Sequence, residues 1–232
     1  AGVLAAADWI AVGGQLRRLE RTVKPLVPLA LLASALTTPA NDVRSWLVAA
    51  LLCGALGDAA LAFEPRPQPA VAGGSQRSST AGESLPGPAA GSRQSPRGPL
   101  FLLGLAAFFL GHLCYLGALR ATGLDQLSVV FGLLLVLVSL LSFGYRIIAG
   151  AHAAGGTGLT AAVTLCIVAL GSVVVFGVGT AQLLIAPGVV LFALSDLILG
   201  YDRFVRPRSW GPLAIIVTYH LAQGLLVLGL LG

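Results

Sequence analysis

The chain has 232 residues, 56% of them hydrophobic and only 10% charged, with a mean hydropathy of +0.91. No water-soluble domain of this length needs so much apolar surface, so the composition points to a polytopic α-helical membrane protein. The net charge of +5 and the basic pI of about 9.6 come from loops, and no motif supports nucleic-acid binding. A β-barrel would show alternating segments of about ten residues, whereas the apolar runs here are continuous.

Eight apolar segments follow one another. The first, about Ala1–Leu16, is short and is read as the remnant of a first helix, with an N-terminus truncated or processed. It has no charged leader of the kind a cleavable signal peptide carries. The second runs from Lys24-Pro25 to about Thr38, since proline suits a first helical turn, where its missing N–H is not needed. The third is Arg44–Phe63. The stretch Glu64–Pro99 is rich in Pro, Gly, Ser and Arg, has no apolar periodicity and reads as a disordered loop. The fourth segment is Leu100–Leu119, the fifth about Leu127–Ile148, the sixth about Leu159–Gly179 and the seventh about Gln182–Tyr201. Pro187-Gly188 is expected to kink or unwind the outer part of the seventh. The eighth is about Pro212–Leu231. The expected fold is therefore all-α, a single transmembrane domain over residues 1–232 with about eight spans.

Eight spans put both termini on one side. Twelve of the 14 basic residues then fall in one set of loops: Arg17, Arg18, Arg21, Lys24, Arg66, Arg77, Arg93, Arg97, Arg146, Arg203, Arg206 and Arg208. The opposite loops hold Arg44 and Arg120. Positive charge favours the cytoplasm, so the termini are expected outside and the 64–99 loop in the cytoplasm, as in a bacterial cytoplasmic membrane.

Two apolar stretches carry a carboxylate in the same setting. Gly54-Ala55-Leu56-Gly57-Asp58-Ala59-Ala60-Leu61-Ala62-Phe63 and Phe192-Ala193-Leu194-Ser195-Asp196-Leu197-Ile198-Leu199-Gly200-Tyr201 both read Ala-Leu-small-Asp-x-x-Leu-x-aromatic. Each is the third segment of its half, which suggests two parallel repeats of four helices. Asp58 and Asp196 would each sit roughly 7–8 Å inside the cytoplasmic end. A charge in hydrocarbon costs several kcal/mol, so such residues face a bundle interior, either as interhelical hydrogen-bonding groups or as working ones.

Other polar residues share faces. His112 and Tyr115 are i, i+3 in the fourth segment; Tyr219 and Gln223 are i, i+4 in the eighth. Their blander role is hydrogen bonding between helices. His220 points elsewhere on its helix. Lys24, the sole lysine, is a snorkelling anchor or a phosphate contact, and Arg203 is open to the same two readings. Asp202 marks the cytoplasmic end of the seventh segment. Cys53, Cys114 and Cys166 are widely spaced inside apolar runs and suggest small packing residues, with no metal spacing among them and no cofactor expected.

Lys24-Pro25-Leu26, Gly57-Asp58, Gly111-His112-Leu113-Cys114-Tyr115, Ser195-Asp196 with Phe204 downstream, and Tyr219-His220-Leu221-Ala222-Gln223 follow in order on successive apolar segments. In this the chain resembles the YhhN-like family of eight-span proteins, whose characterised members are lysoplasmalogenases. The likeness covers nearly the whole chain except the 64–99 loop. The family often has an aromatic residue where this chain has His220.

The resemblance implies hydrolysis of the vinyl-ether bond of a lysoplasmalogen, a lysophospholipid, within the bilayer. Such chemistry suits two carboxylates of unlike ionisation, one acid and one base. Asp58 and Asp196 are the expected pair, with His112, Tyr115, Tyr219 and Gln223 holding water, and Lys24, Arg203 and Asp202 at the phosphate-binding mouth. The alternative is a proton-coupled transporter or channel, since parallel repeats and buried aspartates describe carriers too.

Overall fold

The computed structural model describes residues 1–14, 16, 23, 26–63 and 98–232. Lys24 and Pro25 lie outside the described residues, as do the basic residues Arg17, Arg18, Arg21, Arg66, Arg77, Arg93 and Arg97 and nearly all of the 64–99 loop. The described residues form only helices: α1 (Gly2–Gly13), α2 (Leu26–Leu36), α3 (Asp42–Ala62), α4 (Pro99–Leu119), α5 (Gln126–Ser139), α6 (Tyr145–Gly179), α7 (Ile185–Phe204) and α8 (Gly211–Leu231). A π-helical turn, Leu140–Gly144, joins α5 to α6 without a break.

Helix starts follow local chemistry. Asn41 caps α3 by accepting the Arg44 N–H at 2.7 Å, and Asp125 caps α5 by accepting the Ser128 N–H at 2.8 Å. Pro99 and Pro212 stand in first turns, where a missing N–H costs nothing. Pro187 does the same for α7. The expected kink at Pro187-Gly188 is absent: α7 starts at Ile185, and the Gly188 N–H already bonds to the Leu184 carbonyl at 3.1 Å. A proline this close to a helix start lacks only an N–H that had no partner, so it begins the helix instead of bending it.

Five helical stretches are long and apolar enough to cross a membrane, the longest being Gln126–Gly179 with 54 residues. Straight, that stretch would be about 80 Å long. Yet the Asp125 N–H bonds to the Gly179 carbonyl at 2.8 Å, so its two ends touch. The reversal is at Gly156, whose φ of 68° and ψ of −160° belong to a region open essentially to glycine alone. Residues 126–155 and 157–179 thus form an antiparallel pair. A count of eight membrane-length spans is nevertheless not reached, because α1 has 12 residues and the described part of α2 has 11.

Packing is strongest between α3 and α4 and between α7 and α8. In addition α2 lies on α3, α6 on α7, α4 on α6 and α8 on α2. The α3–α4 seam is close because small residues line it; a methyl on Gly57 would stand 2.8 Å from the Phe108 ring. The core contains Leu47, Leu51, Tyr115, Leu119, Ile185 and Leu226, all fully buried. The outer face of α5, with Leu133, Leu134, Leu137 and Val138 exposed, is what lipid would cover. Among the described residues, the buried polar groups other than Thr180 at the end of α6 gather between α3, α4, α7 and α8, and again where α1 meets α8.

Candidate functional site

The first cluster starts from the predicted carboxylates. Asp58 is buried on α3, and Asp196 is 22% exposed on α7. His112 on α4, 1% exposed, places Nε2 3.2 Å from Asp196 Oδ2. One turn further along α4, the Tyr115 hydroxyl donates to Gln223 Oε1 on α8. Tyr219, one turn before Gln223, has its hydroxyl within electrostatic reach of both Asp58 and Asp196. The two carboxylates, which are far apart in sequence, therefore share one electrostatic neighbourhood. His112, Tyr115, Tyr219 and Gln223, expected on shared helix faces, are brought together.

Sequence reasoning missed two residues that shape this cluster. Phe192 is the hub of its apolar floor, with ring centroids 5.2 Å from His112, 5.6 Å from Tyr115 and 6.0 Å from Tyr219. It stands one turn before Asp196, and that i, i+4 spacing was the available signal. Gly54 is one turn before Asp58, and a methyl there would lie 2.8 Å from the Tyr219 hydroxyl oxygen. The glycine makes the seat for that hydroxyl. Ser195, beside Asp196, turns its hydroxyl to the Ile215 carbonyl at 3.1 Å and ties α7 to α8. Asp196 also has Cys166 of α6 within its field.

The proposed mouth residues have other neighbours. The Arg203 guanidinium lies 4.3 Å over the Phe101 ring. Asp202 faces the start of α8: a methyl on Gly211 would clash with its carboxylate, and the Arg208 backbone N–H and charge act on it. A carboxylate at a helix N-terminus is favourable by the helix dipole, which gives Asp202 a structural task at the α7–α8 corner. Arg208 itself stacks on Tyr201 at 4.2 Å and on Trp210 at 5.1 Å. No group of three or more His, Cys, Asp or Glu side chains suited to a metal occurs among the described residues.

The second cluster was not foreseen. Asp8, fully buried on α1, has Oδ2 3.9 Å from His220 Nε2, and the Trp9 indole N–H donates to His220 Nδ1 at 3.2 Å. The first segment was read as a remnant, and nothing in its sequence tells which helix it meets.

Compared with known proteins, the chain matches the YhhN family over residues 92–230. The chain belongs to the YhhN family. That match takes in α4 to α8, so it includes His112, Tyr115, Asp196, Tyr219 and Gln223 and leaves out Asp58. The chain is also similar to the lysoplasmalogenases of Mycobacterium bovis (strain ATCC BAA-935 / AF2122/97) and Mycobacterium tuberculosis (strain CDC 1551 / Oshkosh). Each is 29% identical over 223 residues, covering 91% of this chain and 70% of the relative. No solved structure matches. With its apolar helices, this YhhN-family chain is a multi-pass integral membrane protein.

Proposed function

We propose that this protein is a lysoplasmalogenase-type hydrolase that cleaves the vinyl-ether bond of a lysoplasmalogen, with Asp58 and Asp196 as its acid/base pair. The observation that carries the reading is that Asp58 and Asp196 both lie within electrostatic reach of Tyr219, with His112 3.2 Å from Asp196, in a chain similar to two lysoplasmalogenases.

The chemistry needs few groups. One protonated carboxyl delivers its proton to the β-carbon of the enol ether, and the double-bond electrons form that C–H bond. The α-carbon and ether oxygen are left as an oxocarbenium ion. The second, ionised carboxylate stabilises the cation and takes a proton from the water that adds to the α-carbon. The hemiacetal then breaks its bond to the glycerol oxygen, which leaves with a proton. The products are a fatty aldehyde and a glycerophospho head group; the net addition is one water.

His112, 3.2 Å from Asp196, would hold that carboxyl in place. Tyr115, Gln223 and Tyr219 would hold the water between the carboxylates. Lys24 and Arg203 would take the lipid phosphate at the cytoplasmic surface, with Asp202 steadying the corner beside them. In this account the helical segments form two parallel repeats, the basic loops are cytoplasmic, and the hydrocarbon chain lies among the helices.

A decisive test is hydrolysis in D₂O. Purified protein in detergent is given a lysoplasmalogen, with an ester-linked lysophospholipid as control. Aldehyde carrying one deuterium at the carbon next to the carbonyl supports proton delivery to carbon. Absence of aldehyde across several head groups overturns the assignment and favours the transport reading.

A further inference from the structure

The site described so far uses α3, α4, α7 and α8, yet α1 carries a buried carboxylate against the same α8 that carries Tyr219. We propose that Asp8 and Trp9 of α1 form, with His220, a second carboxylate–imidazole site that positions Tyr219 over Gly54, so that the N-terminal helix is part of the functional site. The inference rests on the proposed hydrolase reading only for its kinetic arm.

The geometry specifies the imidazole. An indole N–H can only donate, so the 3.2 Å contact from Trp9 Nε1 makes His220 Nδ1 an acceptor. The ring hydrogen of neutral His220 is then on Nε2, which faces Asp8 Oδ2 at 3.9 Å. Trp9 also stacks beside the ring, with centroids 6.5 Å apart at 24°. A ring bonded at Nδ1, flanked by the indole and with Nε2 turned to a buried carboxylate has a set orientation. It ties α8 to α1 at this level, and the preceding residue on α8 is Tyr219, whose ring is 5.7 Å from that of His220.

A second observation points the same way. Gly111-His112-Leu113-Cys114-Tyr115 on α4 and Tyr219-His220-Leu221-Ala222-Gln223 on α8 share the pattern x-His-Leu-small-polar. Their last members, Tyr115 and Gln223, bond to each other, and each histidine faces a carboxylate on a different helix: Asp196 for His112, Asp8 for His220. The α1–α8 pair thus has the construction of the α4–α7 pair. A helix that merely filled space would need neither a buried carboxylate nor an oriented imidazole, because polar groups are costly to bury.

The test uses the whole protein in detergent micelles with ¹⁵N-labelled histidine and ¹³Cζ-labelled tyrosine. The chain has three histidines and four tyrosines, so His220 and Tyr219 are assigned with H220Q and Y219F. Wild type should show neutral His220 with its hydrogen on Nε2. W9F, which removes the donor to Nδ1, should bring in the other tautomer. W9F and D8N should both shift the Tyr219 resonance and leave that of exposed Tyr145 unmoved. In turnover, W9F and D8N should lower kcat by about 10- to 100-fold with KM within about twofold, because misplacement by about 1 Å costs that much. H220Q, which keeps an N–H near the Nε2 position, should retain more kcat than H220L.

An unshifted Tyr219 resonance in folded W9F and D8N overturns the proposal, as does full kcat in both. If wild type releases no aldehyde while the Tyr219 resonance shifts in both variants, the positioning site stands and the hydrolase reading falls.

Discussion

His112 Nε2 and Asp196 Oδ2 lie 3.2 Å apart and join α4 to α7 within the apolar bundle. The imidazole is 1% exposed and the carboxylate 22%, so the pair is only partly screened by water. Removing one member of a close, largely buried polar pair and leaving the other without it costs about 1–3 kcal/mol. H112L should therefore lower the unfolding midpoint in detergent, and H112L/D196L should recover part of that loss. A double-mutant cycle with no coupling would show that the contact carries no stability.

Gly54 tests the Tyr219 seat without touching a polar group. A methyl at Gly54 would sit 2.8 Å from the Tyr219 hydroxyl oxygen, whereas one at Gly111 on the facing helix would meet Cys53 Cβ at an ordinary 3.5 Å. G54A should lower turnover by about 10- to 100-fold by moving the phenol about 1 Å, and G111A should lower it little. The midpoints of both variants, from thermal unfolding, separate a displaced hydroxyl from a disrupted bundle.

The reversal at Gly156 has a separable backbone cost. A methyl there meets nothing within 4 Å, so G156A is resisted by its φ of 68° alone. The expected destabilisation is about 1–3 kcal/mol. Gly158 also has open space around a Cβ and carries no positive φ, so G158A should be neutral or stabilising by up to about 1 kcal/mol. Equal midpoints for G156A and wild type would argue that the chain does not turn back there.

Asp125 gives a pH signature outside the spans. The Ser128 backbone N–H bonded to its carboxylate holds its pKa below the ordinary carboxylate range. A depressed folded value means that the stabilisation is fully present above the unfolded value of about 3.9 and is lost as pH falls through the folded value. D125A should thus have a lower midpoint than wild type at pH 7, and the gap should close below about pH 4. A gap that does not change with pH would assign the cap's contribution to something other than ionisation.

Much of the fold was legible because lipid imposes it: continuous apolar runs must be helices, and capping residues and prolines mark their starts. The ends found for α3, α4 and α8 fall within two residues of the apolar runs that announced them. Pro187 was misread because its effect depends on where the helix begins, which apolar composition does not mark. The face-sharing of His112 with Tyr115 and of Tyr219 with Gln223 was also legible, since it follows from helical periodicity. Which faces meet was not. The bond from Tyr115 to Gln223 spans 108 positions and that from Trp9 to His220 spans 211, and no local pattern encodes such contacts. For that reason no role was read for Asp8, set aside with its short helix, or for Trp9, and Phe192 was passed over as ordinary apolar content.

The most direct measurement of the central claim is aldehyde release from a lysoplasmalogen by purified wild type, D58N and D196N, each shown to be folded by its thermal transition. The account predicts aldehyde from wild type and a loss of at least about 100-fold in each variant, the range expected for removing a general acid or base. Full turnover by folded D58N and D196N would contradict it.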